Sequence, residues 1–506
     1  MGRLNLENLT AVSRRSREGI DPDELTVGIV HFGAGNFHRA HQAVYTEDAM
    51  LATGETGWAI SAVTQRGPAV RDRLHDQDGL YTVVTRDESG ATYRVVRSVR
   101  EVLDGPSETE TVLERIADPA VTVVTLTVTE HAYRLLPGTR RLDTADPGVR
   151  ADASGQVPST VVGRLVAGLR ARRAAGAGPL AVVSCDNLDE NGPVLHAAVR
   201  DFCALLPDGA ELAEWVERNV TFPATMIDRI VPATTEEDLA EVEAELGARD
   251  EAAVVAEPFI QWVIEDDFPA ARPAWEKAGA LLVEDVRPYE MTKLRTLNAC
   301  HSLLAYLGAL ADVGTIAETM SIAEFEAAAR KLAEEEVAPT LPEIAGFEHG
   351  GYVDTVLRRF RNPALAHTTR QVASDGSLKI GPRLLGTVGD ALRQSVAPST
   401  AALAIAAWLR CVLVRRTDGG ETLEVREPTA ERIRESAGLD PQAPGTAGSA
   451  GGTASAGSEV VRPALAAAGV DEALLDDRRF LAPVEQHYDE LARSGARESA
   501  RSVVAE

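Results

Sequence analysis

The sequence predicts an α/β N-terminal domain followed by a mainly α-helical C-terminal domain. Short, β-branched apolar runs recur through the first half with helical patterns between them. The first of these runs ends on a pair of glycines, and from about Pro288 the texture changes to long Ala/Leu/Glu-rich amphipathic stretches. At 506 residues the chain is longer than one hydrophobic core usually organises, and the change of texture sets the expected boundary: residues 1–287 and 288–506.

The first element is Thr26 to Phe32 (TVGIVHF), followed at once by Gly33-Ala34-Gly35-Asn36-Phe37-His38-Arg39-Ala40, which reads as strand, tight turn, helix. Glycines at such a turn let the backbone approach a pyrophosphate, and the next helix offers its first N–H groups and the positive end of its dipole. Gly33, Gly35, Asn36 and Phe37 are therefore the expected cofactor-binding residues of a Rossmann-type dinucleotide-binding domain. His38 stands where the third glycine of the usual fingerprint would sit, and the plain alternative is a tight turn with no ligand.

The second strand, Trp58 to Val63, should end beside the adenosine ribose, where a carboxylate would bind the 2′-hydroxyl and an arginine would favour a 2′-phosphate. The sequence there is Thr64-Gln65-Arg66. NAD is the expected cofactor and NADP stays open; Arg66 is either a cofactor contact or a solvated loop charge. Val121 to Leu126 and Leu180 to Ser184 continue the strand series, with a helical pattern over Ser159 to Arg173. Strands alternating with helices predict a mostly parallel sheet covered on both faces. Open sheets of this kind bind ligands at the C-terminal ends of their strands. Glu130, after Thr127-Val128-Thr129, and Asn187, after Ser184-Cys185-Asp186, fall at that edge. Glu130 reads as a proton conduit or as a loop carboxylate, and Asn187 as an oxyanion donor.

In the second half, helices are expected at Thr292 to Ala311, Ser321 to Val337 and Thr400 to Val414. Residues 441–458 hold almost no large apolar side chain and read as a flexible surface insertion. Within Tyr289 to Leu307 (YEMTKLRTLNACHSLLAYL), Lys293, Asn298 and His301 fall within roughly a 140° arc of one helix face at about 100° per residue. Oxidation of a secondary alcohol without a metal needs a proton acceptor and a donor to the developing oxyanion. Burial favours a neutral lysine, so Lys293 is the candidate base, with Asn298 as an oxyanion donor and His301 holding a neighbouring hydroxyl or orienting the lysine. Singly, each has a bland reading: a solvated lysine, a satisfied amide, a packed core histidine.

A formal net charge of −26 argues against general affinity for nucleic acid or anionic membrane. The four cysteines are widely spaced, so neither a disulfide framework nor a zinc cluster is expected, and metal is expected to be absent. MGRLNLENLT lacks the apolar core of a secretion signal, and no stretch approaches a membrane span, so a cytoplasmic location is expected. Oligomeric state stays open.

These residues resemble the mannitol dehydrogenase family, long-chain polyol and hexonate dehydrogenases that work without zinc. The resemblance runs over nearly the whole chain. It is carried by Gly33 through His41, Gln77-Asp78-Gly79-Leu80-Tyr81, Thr127 through Glu130, Ser184 through Asn187, Met226-Ile227-Asp228-Arg229-Ile230-Val231-Pro232 and Lys293 through His301. It implies Lys293 as base, Asn187 and Asn298 as the oxyanion pocket, His301 at the substrate and Glu130 as proton conduit. Asp228-Arg229 matches a family signature and is expected on the substrate side, with Asp228 orienting active-site groups or forming a structural ion pair with Arg229. Lys379 matches a position that contacts the polyol in mannitol dehydrogenases, whereas Gln371 stands where those enzymes have arginine, and His367 to Lys379 is closer to mannonate and fructuronate oxidoreductases. The implied substrate is thus a polyol of the mannitol type or, alternatively, a hexonate; a non-catalytic dinucleotide sensor is the alternative from another class.

Overall fold

The computed structural model describes residues 2–12, 19–136, 138–365, 367–441 and 457–506. The chain divides into two compact units, Met1–Arg287 and Pro288–Glu506.

The first unit is built on a six-stranded sheet. Its strands are β1 (Val27–Phe32), β2 (Ala59–Thr64), β3 (Val99–Asp104), β4 (Val123–Leu126), β5 (Leu180–Ser184) and β6 (Val220–Thr221), in the spatial order β3-β2-β1-β4-β5-β6. All five pairings are parallel. This is the doubly wound order in which the chain reverses direction between β1 and β4. Helices on both faces explain why the strand sequences are nearly uniformly apolar: every residue of β2, β4 and β5 is buried. Alternation still sorts the two faces. Val30, Phe32, Val124 and Val182 pack against Leu165 and Val199, whereas Ile29, Val123 and Val183 pack against Ala43, Tyr45 and Trp262.

Two smaller sheets were not expected. One joins Tyr81–Asp87 to Gly90–Val96 as an antiparallel hairpin and to Val254–Ala256 in parallel. The other pairs Thr225–Asp228 antiparallel with Gln261–Glu265, which in turn runs parallel to Leu281–Val283.

In the second unit the long helix expected from Thr292 is not uniform. It consists of α3 (Arg287–Lys293, numbered after α1, Asn36–Ala40, and α2, Gln42–Thr53), a π-helical turn over Leu294–Asn298, and α4 (Ala299–Leu310). The helix expected over Ser321 to Val337 is likewise Ala323–Lys331 followed by a π-helical Leu332–Val337. The core lies around α4 and α5 (Ser399–Leu413), both nearly fully buried, and α5 packs on the C-terminal helix α6 (Arg478–Ala505). The N-terminus of α5 is capped by a carboxylate distant in sequence: Glu336 accepts from the N–H of Thr400 (2.6 Å) and of Ala401 (2.9 Å), and burial pushes its carboxyl up to about 7.

Of the insertion expected at 441–458, residues 442–456 lie outside the described residues. Gly457 and Ser458 open a helix, Gly457–Ala467, which corrects that end of the boundary. Among the described residues no helix is long and apolar enough to cross a membrane, and no group of three His, Cys, Asp or Glu is placed to hold a metal ion.

Candidate active site

The candidates from the sequence fall into two sets, one in each unit. In the first, β1 delivers the chain into the glycine turn at the point where strand order reverses. Gly33 has φ +109°, and a Cβ there would overlap the carbonyl of Thr127, so only glycine lets the ends of β1 and β4 come this close. Gly35 is different: it has ordinary φ and nothing within 4 Å of the place a Cβ would take, and it caps α1 without a side chain. That open space beside uncapped N–H groups fits a pyrophosphate. Asn36 Oδ1 accepts from Arg39 (2.7 Å), and Phe37 stacks on His41 at 4.9 Å.

The turn is held by a histidine that the motif does not include. His31 accepts at Nδ1 from the hydroxyl of Thr125 (2.7 Å). Its Nε2–H is shared between the carbonyl of Gly33 (3.0 Å) and the hydroxyl of Thr127 (2.9 Å). Burial lowers its pKa to about 3, so the ring is neutral with one donor and one acceptor nitrogen, as those partners require. His38, in place of the third glycine, stacks on His31 at 3.5 Å with both ring nitrogens buried and unpartnered. Arg66 is exposed in the loop after β2, beside Gln65, whose amide oxygen accepts from Arg164 (3.0 Å).

Glu130 and Asn187, both exposed, follow β4 and β5. Asp186, the residue before Asn187, is 6% exposed, and no role was expected of it. It accepts from the N–H of Val128 (2.8 Å), the N–H of Thr129 (2.7 Å) and the hydroxyl of Tyr133 (2.7 Å). Burial raises its carboxyl to about 6 against the pull of these bonds. Thr129 sits at φ 72°, ψ 155°, a region that costs a β-branched residue of order 1–3 kcal/mol. Asn191 is fully buried and donates to the carbonyls of Asp186 (3.1 Å) and Thr225 (2.9 Å), tying the Asn187 turn to the strand that ends at Asp228. Arg229 departs from expectation. Its guanidinium donates to the carbonyls of Glu257 (3.0 and 2.9 Å) and Ala40. Burial lowers its pKa to about 10, with Glu257, not Asp228, the leading opposing charge. The ion pair with Asp228 is not among these bonds, which tie Arg229 to the backbone at Glu257 and Ala40, and Asp228 is buried at the strand end.

In the second unit, Lys293 ends α3, and the π-helical turn begins one residue later. An α-helix would place Asn298 about 140° round from Lys293, but i→i+5 bonding brings residues five apart nearly over one another. The face shared by the two is narrower than uniform helical spacing predicts. The turn is braced from outside: Arg295 pairs with Asp390 (2.6 Å), the Thr296 hydroxyl bonds His349 Nε2 (3.0 Å), and Arg383 reaches Ser302 Oγ (2.9 Å) and the carbonyl of Asn298 (3.5 Å). His349 also lines a cavity of ≈ 530 Å³ with Thr292, Leu341, Glu343 and Phe347, which no sequence motif marked.

His301 stacks between Phe360 (4.9 Å) and His367 (5.7 Å), with Nε2 buried and unpartnered. Burial, His367, Arg383, Lys379 and Arg359 hold its pKa well below 6.5. Lys379 donates to the carbonyls of Val372 (3.0 Å) and Ser374, which hooks it to the short helix Thr369–Ala373 that carries the exposed Gln371. Burial, then Arg383, lowers the Lys379 ammonium to about 8.

The chain matches the mannitol dehydrogenase Rossmann domain over residues 27–277 and the mannitol dehydrogenase C-terminal domain over residues 285–447. It belongs to the mannitol dehydrogenase family. This family member is 41% identical over 418 residues to the uncharacterized oxidoreductase YeiQ of Escherichia coli strain K12, covering 82% of this chain and 85% of that one. It is 37% identical over 493 residues to the D-mannonate oxidoreductase of the same organism, covering 96% and 97%. Its structure resembles the Pseudomonas fluorescens mannitol 2-dehydrogenase ternary complex with NAD and D-mannitol, with a TM-score of 0.83, 32% identity and 100% of both chains covered.

Proposed function

We propose that this mannitol dehydrogenase family member interconverts a secondary alcohol and a ketone on a sugar-derived polyol or hexonate, with NAD(H) as redox partner. The observation that carries the reading is the π-helical turn, which puts Lys293 and Asn298 on one face, one turn before the unpartnered Nε2 of His301. When bound, NAD supplies the hydride acceptor. The glycine turn at Gly33 and Gly35, with Asn36 and Phe37, would hold its pyrophosphate, and Arg66 would be available to the adenosine ribose. Lys293 takes the hydroxyl proton at Nζ, Asn187 and Asn298 donate to the developing carbonyl oxygen, and Glu130 passes the proton to water. His301 Nε2 binds a neighbouring substrate hydroxyl, and Asp228 orients active-site groups. Residues 1–287 serve the dinucleotide and 288–506 carry the base; no metal takes part. Four buried free thiols suit a reducing, cytoplasmic setting. The intact base and donor set, together with the family match, leaves the sensor alternative without support.

The hexonate reading has an observation of its own. His301 stands in the field of Arg383, Lys379 and Arg359. A carboxylate suits that field better than a hydroxymethyl group. The test is a matrix of initial rates for mannitol, mannonate, arabinitol, fructose and fructuronate, each with NAD(H) and NADP(H). A kcat/KM for the hexonate pair at least ten times that of the mannitol pair selects the second reading, the reverse selects the first, and no turnover of any of the five rejects both.

A further inference from the structure

One carboxylate holds both ends of the loop that presents Glu130. Asp186 Oδ1 accepts from the N–H groups of Val128 (2.8 Å) and Thr129 (2.7 Å), immediately before Glu130. Oδ2 accepts from the hydroxyl of Tyr133 (2.7 Å), three residues after it, and that hydroxyl accepts in turn from Ser184 Oγ (2.7 Å). The loop cannot hold this shape by local preference. Thr129 is in backbone space that is essentially reserved for glycine, and the helical part of the loop is one 3-10 turn, Glu130–Tyr133. Asp186 is buried, Glu130 is exposed, and Asn187 is the next residue after Asp186. One buried side chain thus fixes the peptide on one side of Glu130, the ring on the other, and stands on the same turn as Asn187.

We propose that Asp186 is a positioning residue of the reaction: it pins the Val128–Thr129 peptides and the Tyr133 ring so that Glu130 and Asn187 keep fixed orientations. A carboxylate suits the task because it offers two oxygens with several lone pairs and no hydrogen of its own, so three donors converge on it without conflict. The proposal rests on the roles given above to Glu130 and Asn187. It adds that the strain at Thr129 is sustained by Asp186 and by the β4 and β5 strands that flank it, and that the orientation of Glu130 depends on that strain being held.

The test is a double-mutant cycle on the full chain with NADH binding measured in parallel. Asp186→Ala removes all three acceptor bonds and should lower kcat on the order of 10- to 100-fold, the cost of a displaced catalytic group, with NADH Kd within about twofold of the parent. Asp186→Asn, which keeps one oxygen for the two N–H groups, should recover most of that loss. Adding Thr129→Gly to Asp186→Ala should recover part of it as well, because glycine takes the same backbone conformation unaided; the two changes then combine non-multiplicatively. A merely structural role would lower thermal midpoint, NADH binding and kcat together, with no recovery from Thr129→Gly. The proposal is overturned if Asp186→Ala binds NADH normally and turns over within twofold of the parent, or if the two substitutions multiply. Should Asp186→Ala not fold, Tyr133→Phe takes its place: a several-fold fall in kcat at unchanged NADH Kd supports the proposal, and an unchanged kcat overturns it. Glu130→Gln separates the two levels. Normal turnover there removes the role of Glu130 itself, whereas impaired turnover there with a normal Asp186→Ala removes only the positioning role.

Discussion

The imidazole of His301 lies nearly parallel to the ring of Phe360, with centroids 4.9 Å and planes 23° apart, while its Nε2 is buried with no hydrogen-bond partner. The stack fixes the ring plane and leaves one polar atom without a bond, an arrangement that costs stability unless a ligand completes it. His301→Phe keeps the stack and removes the nitrogen. It should leave the thermal midpoint unchanged or higher, while kcat/KM falls by about 10- to 100-fold, or ~1–3 kcal/mol. Since the pKa of His301 is held well below 6.5, the ring is neutral at neutral pH, and the pH–rate profile of this variant should keep the parent's limbs. A limb near 6.5 that disappears with His301→Phe would contradict a neutral ring.

Lys293→Ala removes the proposed proton acceptor and should lower kcat by about 10²- to 10⁴-fold, with NADH still bound at near-parental Kd by fluorescence titration. Asn298→Ala should lower kcat by roughly 10²-fold with little change in NADH binding. Proton transfer and oxyanion stabilisation are both assigned to side chains, so EDTA should leave the initial rate unchanged. A chelator-sensitive rate would reject that division of labour.

The two glycines of the turn should fail in different ways. Gly33→Ala meets the carbonyl of Thr127 and a φ of +109°, so it should destabilise the protein by about 2–4 kcal/mol, visible as a lower urea midpoint. Gly35→Ala meets no protein atom within 4 Å and should unfold like the parent. Its methyl occupies the space assigned to the pyrophosphate, so NADH Kd should rise about tenfold or more. Parental NADH affinity in Gly35→Ala would move the phosphate elsewhere.

Glu336 makes stability depend on pH in a stated direction. Its folded pKa is raised to about 7, above that of an unfolded glutamate, so its contribution is fully present below about pH 4.5 and is lost as pH rises through about 7. Glu336→Gln carries no such loss. Between pH 5 and pH 8 the urea midpoint of the parent should therefore fall relative to that of Glu336→Gln, by roughly 3 kcal/mol at most. Parallel midpoints across that range would show that the cap on α5 is insensitive to the charge.

The strands around the glycine turn were legible because parallel strands covered on both faces read as unbroken apolar runs. β5 falls on the expected residues, and β1, β2 and β4 fall within one or two of them. The hairpin Tyr81–Val96 was not legible: its second strand is exposed or half-buried over its first four residues, so its apolar pattern is broken. The π-helical turn was hidden for another reason. Leu294-Arg295-Thr296-Leu297-Asn298 is composed like any α-helix, and the difference lies in backbone register, set by Arg295, Thr296 and Arg383 bonding to partners distant in sequence. Asp186 was visible within its motif but silent about its role, which exists only through contacts to residues 128–133. Arg229 misled in the opposite sense: its neighbour in sequence was Asp228, but its partners in space are the carbonyls of Glu257 and Ala40.

The turn at Leu294–Asn298 also makes the register between Lys293 and Asn298 a property of how many residues separate them. Substitutions at Leu294 or Leu297 leave that count alone. Loss of a single residue would let the segment relax into an ordinary α-helix with the lysine and the asparagine four apart, about 40° round the axis, close to where the π-helical turn holds them. An α-helical segment of full length would instead put Asn298 about 140° from Lys293, so five residues keep the pair on one face only while the bonds of Arg295, Thr296 and Arg383 hold the turn π-helical.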